Sequence, residues 1–108
     1  MATNTIAQKA SSLLDIKQIV NQSTVKAYKS GKTVLFIFNN MSVSVGDNIS
    51  SLTDYIPLYT ASGLITQNNG TLILITISDT GTISLVDMTT GHAPTGPINV
   101  YGQLVYFI

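Results

Sequence analysis

The chain of 108 residues contains no cysteine, no tryptophan, no arginine and no glutamate. Without cysteine there is no disulfide, no thiol nucleophile and no thiolate-bound metal. Charged residues make up 9% of the chain, against about 25% in an ordinary soluble domain. Disorder does not follow. Disordered chains join low hydrophobicity to high net charge, whereas here hydrophobic residues are 44% and the formal net charge is zero. No apolar run approaches the roughly 18 residues of a membrane span, and no basic, apolar leader of the signal-peptide kind is present. No membrane insertion is therefore expected. The missing charge is replaced by Ser, Thr, Asn and Gln, which suit strands and turns, and the length fits one domain.

The few charges are segregated. All five lysines, Lys9, Lys17, Lys26, Lys29 and Lys32, fall in the first 32 residues, where Asp15 leaves a net charge of +4. Beyond them stand Asp47, Asp54, Asp79 and Asp87 with no lysine, a net charge of −4. A nucleic-acid binder needs Lys and Arg to displace counterions and read base edges. The main body here repels phosphate, so no nucleic-acid partner is expected.

Residues 1–22 read as an N-terminal linker or stalk segment, and residues 23–108 as the main domain. In the first segment Ile6, Leu13 and Val20 recur every seven residues. That spacing fits a short helix capped by Asn4 or Thr5, a narrow coiled-coil seam, or an extended piece leaning on the domain. From Ser23 the pattern is β. Val25, Ala27 and Tyr28 lead to a turn at Lys29-Ser30-Gly31-Lys32. Residues 33–38 form a β-branched and aromatic run ending at Asn39-Asn40. Residues 41–45 alternate up to Gly46-Asp47-Asn48. Residues 55–60 contain Pro57, which assigns them to an edge or a bend.

Further on, Asn69-Gly70 is a hairpin signal between residues 64–66 and the apolar run 71–77, which reads as a central strand. Residues 82–86 alternate. Residues 87–97 form the longest loop, and residues 98–108 the last strand. Six to eight short strands with turns about every ten residues predict an all-β fold, an antiparallel sandwich or barrel around one core. A domain of this size buries only about 60–68% of the surface exposed by its unfolded chain, so oligomerisation is an available route to more burial.

Catalytic chemistry finds little footing. His92 is the only histidine and sits in a Gly/Pro-rich loop. Ser84, Asp87 and His92 make a triad on paper, but serines are so abundant that chance supplies one. No nucleophile elbow, phosphate loop or paired-histidine metal motif occurs. Asp47, Asp79 and Asp87 flank turns, where side-chain-to-backbone hydrogen bonds explain them; Asp54, beside Tyr55, is the exception. No spaced oxygen-ligand loop for Ca²⁺ is present. The expectation is no enzyme, no cofactor and no metal. Saccharide binding fits better, since tyrosine joins an apolar ring to a polar tip and the chain has five tyrosines with many Asn, Gln and Asp. Tyr101 and Tyr106 fall in the last strand, where packing alone explains them. The polar and aromatic residues left without another task are Asp54, Tyr55, Tyr59, Asp87 and His92, which together form the candidate saccharide cleft.

Four stretches bear a family likeness in order: Tyr28-Lys29-Ser30-Gly31-Lys32-Thr33-Val34, the Tyr55-Ile56-Pro57 bend, the strand-turn-strand from Gly70 through Ser78-Asp79-Thr80-Gly81 to Ser84, and Val100-Tyr101-Gly102-Gln103-Leu104-Val105-Tyr106. Residues 28–108 resemble the C-terminal head domain of receptor-binding proteins from phages of Gram-positive bacteria, the lactococcal siphophage type. The resemblance implies a jelly-roll-like sandwich or barrel that forms a homotrimer. It also implies N-terminal attachment to upstream tail or baseplate proteins, location in the virion, and non-catalytic adhesion to host cell-wall polysaccharide. A structural tail or fibre-capping component of the same fold is the alternative. The charge of −4 on residues 33–108 favours neutral or aminated sugars over bare polyphosphate.

Overall fold

The computed structural model describes residues 15–108. Seven strands follow one another: β1 (Lys17–Asn21), β2 (Val25–Ser30), β3 (Thr33–Val43), β4 (Ala61–Gln67), β5 (Leu72–Ile77), β6 (Ile83–Asp87) and β7 (Ile98–Phe107), with one 3-10 turn at Ile49–Ser51. The strands form a single antiparallel sheet in the order β1-β2-β3-β7-β4-β5-β6. The protein is all-β, as the turn spacing indicates. The last strand enters the middle of the sheet, between β3 and β4; it pairs with β3 as far as Phe107 and with β4 at Val100 and Tyr101.

The β3–β7 pair is the spine, with ten residue pairs from Thr33↔Phe107 to Val43↔Ile98. Alternation points Val34, Phe36 and Phe38 of β3 inward, and Val100, Leu104 and Tyr106 of β7 with them. Phe36 stacks against Phe38 at 6.0 Å and against Tyr106 at 5.9 Å between ring centroids. Inward residues of β5 and β6, including Ile73, Ile75, Ile77 and Leu85, complete one continuous core.

Asn39-Asn40 was expected to end this strand and does not. Asn40 is inserted as a β-bulge with φ of 60°, and pairing resumes at Met41↔Val100. Asparagine tolerates that left-handed conformation better than most residues. The extra residue resets the period of two, so Met41 and Val43 face the core where an unbroken strand would turn Asn40 and Ser42 inward. The side-chain amide of Asn99 donates to Asn40 Oδ1 at 3.1 Å and holds the bulge. Residues 41–43 therefore extend β3 and form no separate strand.

Where β4 crosses β7 the strands share only two pairs, Thr66↔Tyr101 and Gln67↔Val100. Gly102, at φ +141°, lets them come close; a Cβ there would lie 2.8 Å from Ile65 Cγ2. Any other residue would push the two halves of the sheet apart.

Residues 17–21 of the N-terminal segment form β1 and pair with β2, continuous with the rest of the sheet. The register shifts between Gln18 and Val20, so alternation fails in sequence there and a heptad spacing stands out instead. The remainder of that seam, Ile6 and Leu13 with the caps at Asn4 or Thr5, lies outside the described residues. Residues 55–60 form a bend rather than a strand. Pro57 is buried, and Leu58 N–H donates to the Phe107 carbonyl at 2.8 Å.

Candidate functional site: a cleft beside the sheet edge

Residues 44–60 leave the end of β3 and run across the mouth of the core before β4 begins. Their first half is fastened to β6 and the turn before it. Gly46 N–H donates to the Ile83 carbonyl at 2.9 Å and Ile83 N–H to the Asp47 carbonyl at 2.7 Å. Asn48 caps the 3-10 turn, its Oδ1 accepting from Ser50 N–H at 2.9 Å while its Nδ2 donates to the Thr80 carbonyl at 3.1 Å. Gly81 makes this clasp possible, because a Cβ there would sit 2.6 Å from Asn48 Oδ1. Ile49 N–H then donates to the Gly81 carbonyl at 3.0 Å, and the Ile49 side chain is buried in the core.

The second half of the segment faces β1 across a gap. Lys17, Gln18 and Ile19 line one wall, and residues 50–55 line the other, enclosing about 530 Å³. No hydrogen bond joins the walls among the described residues. The walls carry Gln18, Ser50, Ser51, Thr53 and Asp54 as neutral or anionic polar groups, Lys17 as a cation, and Tyr55 as the one aromatic ring. The Lys29 ammonium stands 5.3 Å from the Tyr55 ring centroid, a cation–π contact that fixes the ring against β2. Gln18 Nε2 donates to the Tyr28 hydroxyl at 3.3 Å, which orients the amide.

Tyr106 holds the aromatic wall from beneath. Its ring is buried, and its hydroxyl donates to the Tyr55 carbonyl. Burial pushes this phenol above the ordinary tyrosine range, because the phenolate would lose its hydration. Thr53 Oγ1 accepts from Tyr55 N–H at 3.2 Å, so both backbone polar groups of Tyr55 are engaged and its position is set from two sides.

The five candidate residues separate. Asp54 and Tyr55 share the cleft, and the Asp54 carboxylate takes no hydrogen bond from any described residue. Tyr59 is 79% exposed and borders a different groove of about 250 Å³, with Val105 and Phe107. Asp87 and His92 meet each other instead. Asp87 N–H donates to the His92 carbonyl at 2.9 Å, and Asp87 Oδ1 accepts from Thr89 N–H at 2.8 Å. These bonds build a self-contained turn at the end of β6, so Asp87 has the same kind of local task as Asp47, whose Oδ2 accepts from Ser44 N–H at 2.8 Å.

Sequence reasoning missed Lys17 and Gln18, which stand in the wall opposite Asp54. The signal that could have found them is the short hairpin through Ser23-Thr24, masked by the β1 bulge. Folding also undoes the charge segregation of the linear chain. Lys17 and Lys29 arrive beside Asp54 and Tyr55, so the cleft mixes both signs. No protein-family model, curated protein or solved structure matches the chain.

Proposed function

We propose that the chain is the non-catalytic, saccharide-binding head of a phage receptor-binding protein, and that the cleft between β1 and residues 50–55 is its saccharide site. In this reading the sheet closes into a sandwich or barrel, and three copies stand at a tail tip or baseplate facing the bacterial surface. The observation that carries the reading is the company Tyr55 keeps. A ring that can face a sugar's C–H surface is pinned at both backbone groups beside the unengaged carboxylate of Asp54. Gln18, Ser50 and Ser51 supply neutral donors and acceptors for hydroxyls within the same 530 Å³. Lys17 adds one cation that suits a phosphate or uronate substituent, which widens the sugar class beyond the neutral and aminated ones. The resemblance of residues 28–108 to siphophage heads supplies the biological setting.

A single cleft open on one side binds weakly, with Kd on the order of 1 mM, or about −4 kcal/mol. Three linked copies raise the avidity by roughly 10²–10⁴, which suits adhesion to a repeating polymer. The test is a titration of the purified chain, followed by NMR or calorimetry, against polysaccharides isolated from Gram-positive cell walls. Saturable binding without shortening of the polymer is expected. Tyr55→Ala weakens that binding by roughly two- to tenfold, the loss of one stacking contact, while His92→Ala leaves it unchanged. Absence of binding across the panel, or unaltered binding by Tyr55→Ala, overturns the site. A structural tail component is the second reading, favoured by the apolar outer face of the sheet; it predicts assembly without any saccharide binding.

A further inference from the structure

The core occupies one face of the sheet, and the opposite face is the less ordinary one. Strands β3, β4, β5 and β7 contain no charged residue at all. On the outer face of the spine Leu35 pairs with Val105, Ile37 with Gln103 and Thr33 with Phe107. Phe107 is 65% exposed, and Ile37, Leu64, Tyr101 and Val105 are exposed with it. Tyr59 extends this surface across the groove it shares with Val105 and Phe107. Scattered exposed apolar side chains need no explanation, but a contiguous apolar patch marks a contact surface.

The charge pattern selects the partner. The lysines of the described residues sit on β1, β2 and the turn after β2, and the aspartates lie in loops or at strand ends. Lys26 borders this face, paired with Ile37 at the β2 margin; on β3, β7 and β4 themselves a charged partner surface would lose its hydration with no counter-charge on those strands, a cost of several kcal/mol per ion. A surface of the same uncharged make-up has no such cost. Its interleaved Thr, Ser, Asn and Gln side chains also provide donors and acceptors for one another. This chain itself presents such a surface, and in a ring closed about a three-fold axis each copy lays one part of it against a different part of its neighbour's.

We infer that the outer face of β3, β7 and β4 is where copies of this chain meet, with the groove between Tyr59 and Phe107 receiving side chains of the neighbouring copy. The inference rests on the multi-copy reading of the head and is independent of its saccharide cleft, which lies between β1 and residues 50–55. It also gives Tyr59 a task that the cleft does not.

The experiment is light scattering on the purified full chain, with Val105→Lys and Thr95→Lys as matched variants. Thr95 is an exposed loop residue. The wild type and Thr95→Lys are expected to run as one oligomer with the mass of a trimer, and Val105→Lys as a folded monomer by circular dichroism. The absence of cysteine permits a second readout that needs no destabilising change. In the oligomer, Val105→Cys reacts with a maleimide at least about tenfold more slowly than Thr95→Cys, since thiol reactivity follows exposure. A monomeric wild type overturns both the multi-copy reading and this interface. An oligomer that survives Val105→Lys, with Val105→Cys labelling as fast as Thr95→Cys, overturns the interface and leaves the multi-copy reading standing.

Discussion

The β3–β7 spine and residues 44–60 lie against the same core and are held in opposite ways. The spine is joined by ten residue pairs interrupted only at the Asn40 bulge, and its inward side chains include Phe36, Val100 and Tyr106, all essentially inaccessible to solvent. Residues 44–60 contain one 3-10 turn, and a handful of individual hydrogen bonds fixes them: Asn48 to the turn before β6, Ile49 to Gly81, Tyr55 to Tyr106 and Leu58 to Phe107. A ladder distributes its stability over many equivalent contacts, so no single bond decides the register. A pinned segment concentrates position in a few named contacts. The candidate cleft belongs to the pinned segment, where a side chain can be displayed without being a strand position.

The sharpest way to break this comparison is at the spine's closest approach. Gly102→Ala forces a methyl group to 2.8 Å from Ile65 Cγ2 at a backbone angle reserved for glycine. Overpacking and strain together cost roughly 2–5 kcal/mol. A large fall in the urea midpoint checks this, and Gly96→Ala, which meets open space, is the near-neutral control. A midpoint for Gly102→Ala equal to the wild type would mean that β4 and β7 separate without loss.

Tyr106→Phe acts where spine and segment join. It leaves the Tyr55 carbonyl without its partner at an expected cost of about 1–3 kcal/mol, and it loosens the cleft wall. The same phenol gives a pH signature. Burial raises its folded-state pKa above the ordinary 10.0, so between those two values the unfolded chain has lost the proton and the folded chain has kept it. Stability contributed by the buried neutral phenol is complete below pH 10 and falls above it by about 1.4 kcal/mol per pH unit. Chemical denaturation between pH 8 and about 11.5 should show that slope in the wild type and lose one proton's share of it in Tyr106→Phe. Equal slopes would detach Tyr106 from the alkaline loss.

The smallest effect sharpens the segment itself. Asn48→Ala removes the 3-10 cap and the clasp onto Thr80, costing about 0.5–2 kcal/mol. Hydrogen exchange should rise across residues 46–55 while the spine remains protected. Equal exchange in both regions would show that the segment does not depend on this pin.

Much of the fold was legible in the chain, for a local reason. Residues 33–38 and 71–77 are β-branched, aromatic or apolar runs, residues 82–86 alternate, residues 98–108 read as the last strand, and Asn69-Gly70 and Ser78-Asp79-Thr80-Gly81 are turn chemistry. Where the period slips, legibility fails. The β1 bulge hid a strand behind a heptad, and the Asn40 bulge looked like a strand end. At the site, Asp54 was singled out as the one aspartate without turn chemistry, and its carboxylate, in the cleft wall, accepts no hydrogen bond from a described residue. Asp87 and His92 were grouped with it because a linear chain does not show that the Asp87 N–H donates to the His92 carbonyl.

The sequence by itself determined that this protein is an antiparallel β domain without disulfides, because strand period, turn residues and composition act over a few neighbours. Only the tertiary structure decided which strands adjoin, since β7 enters between β3 and β4 through contacts tens of residues apart. It alone set Lys17 and Gln18 opposite Asp54 and Tyr55, and it gathered Leu35, Ile37, Val105 and Phe107 on one sheet face that no described strand covers. Those outcomes depend on how the strands of one sheet pack on a shared core, a property of the whole chain at once.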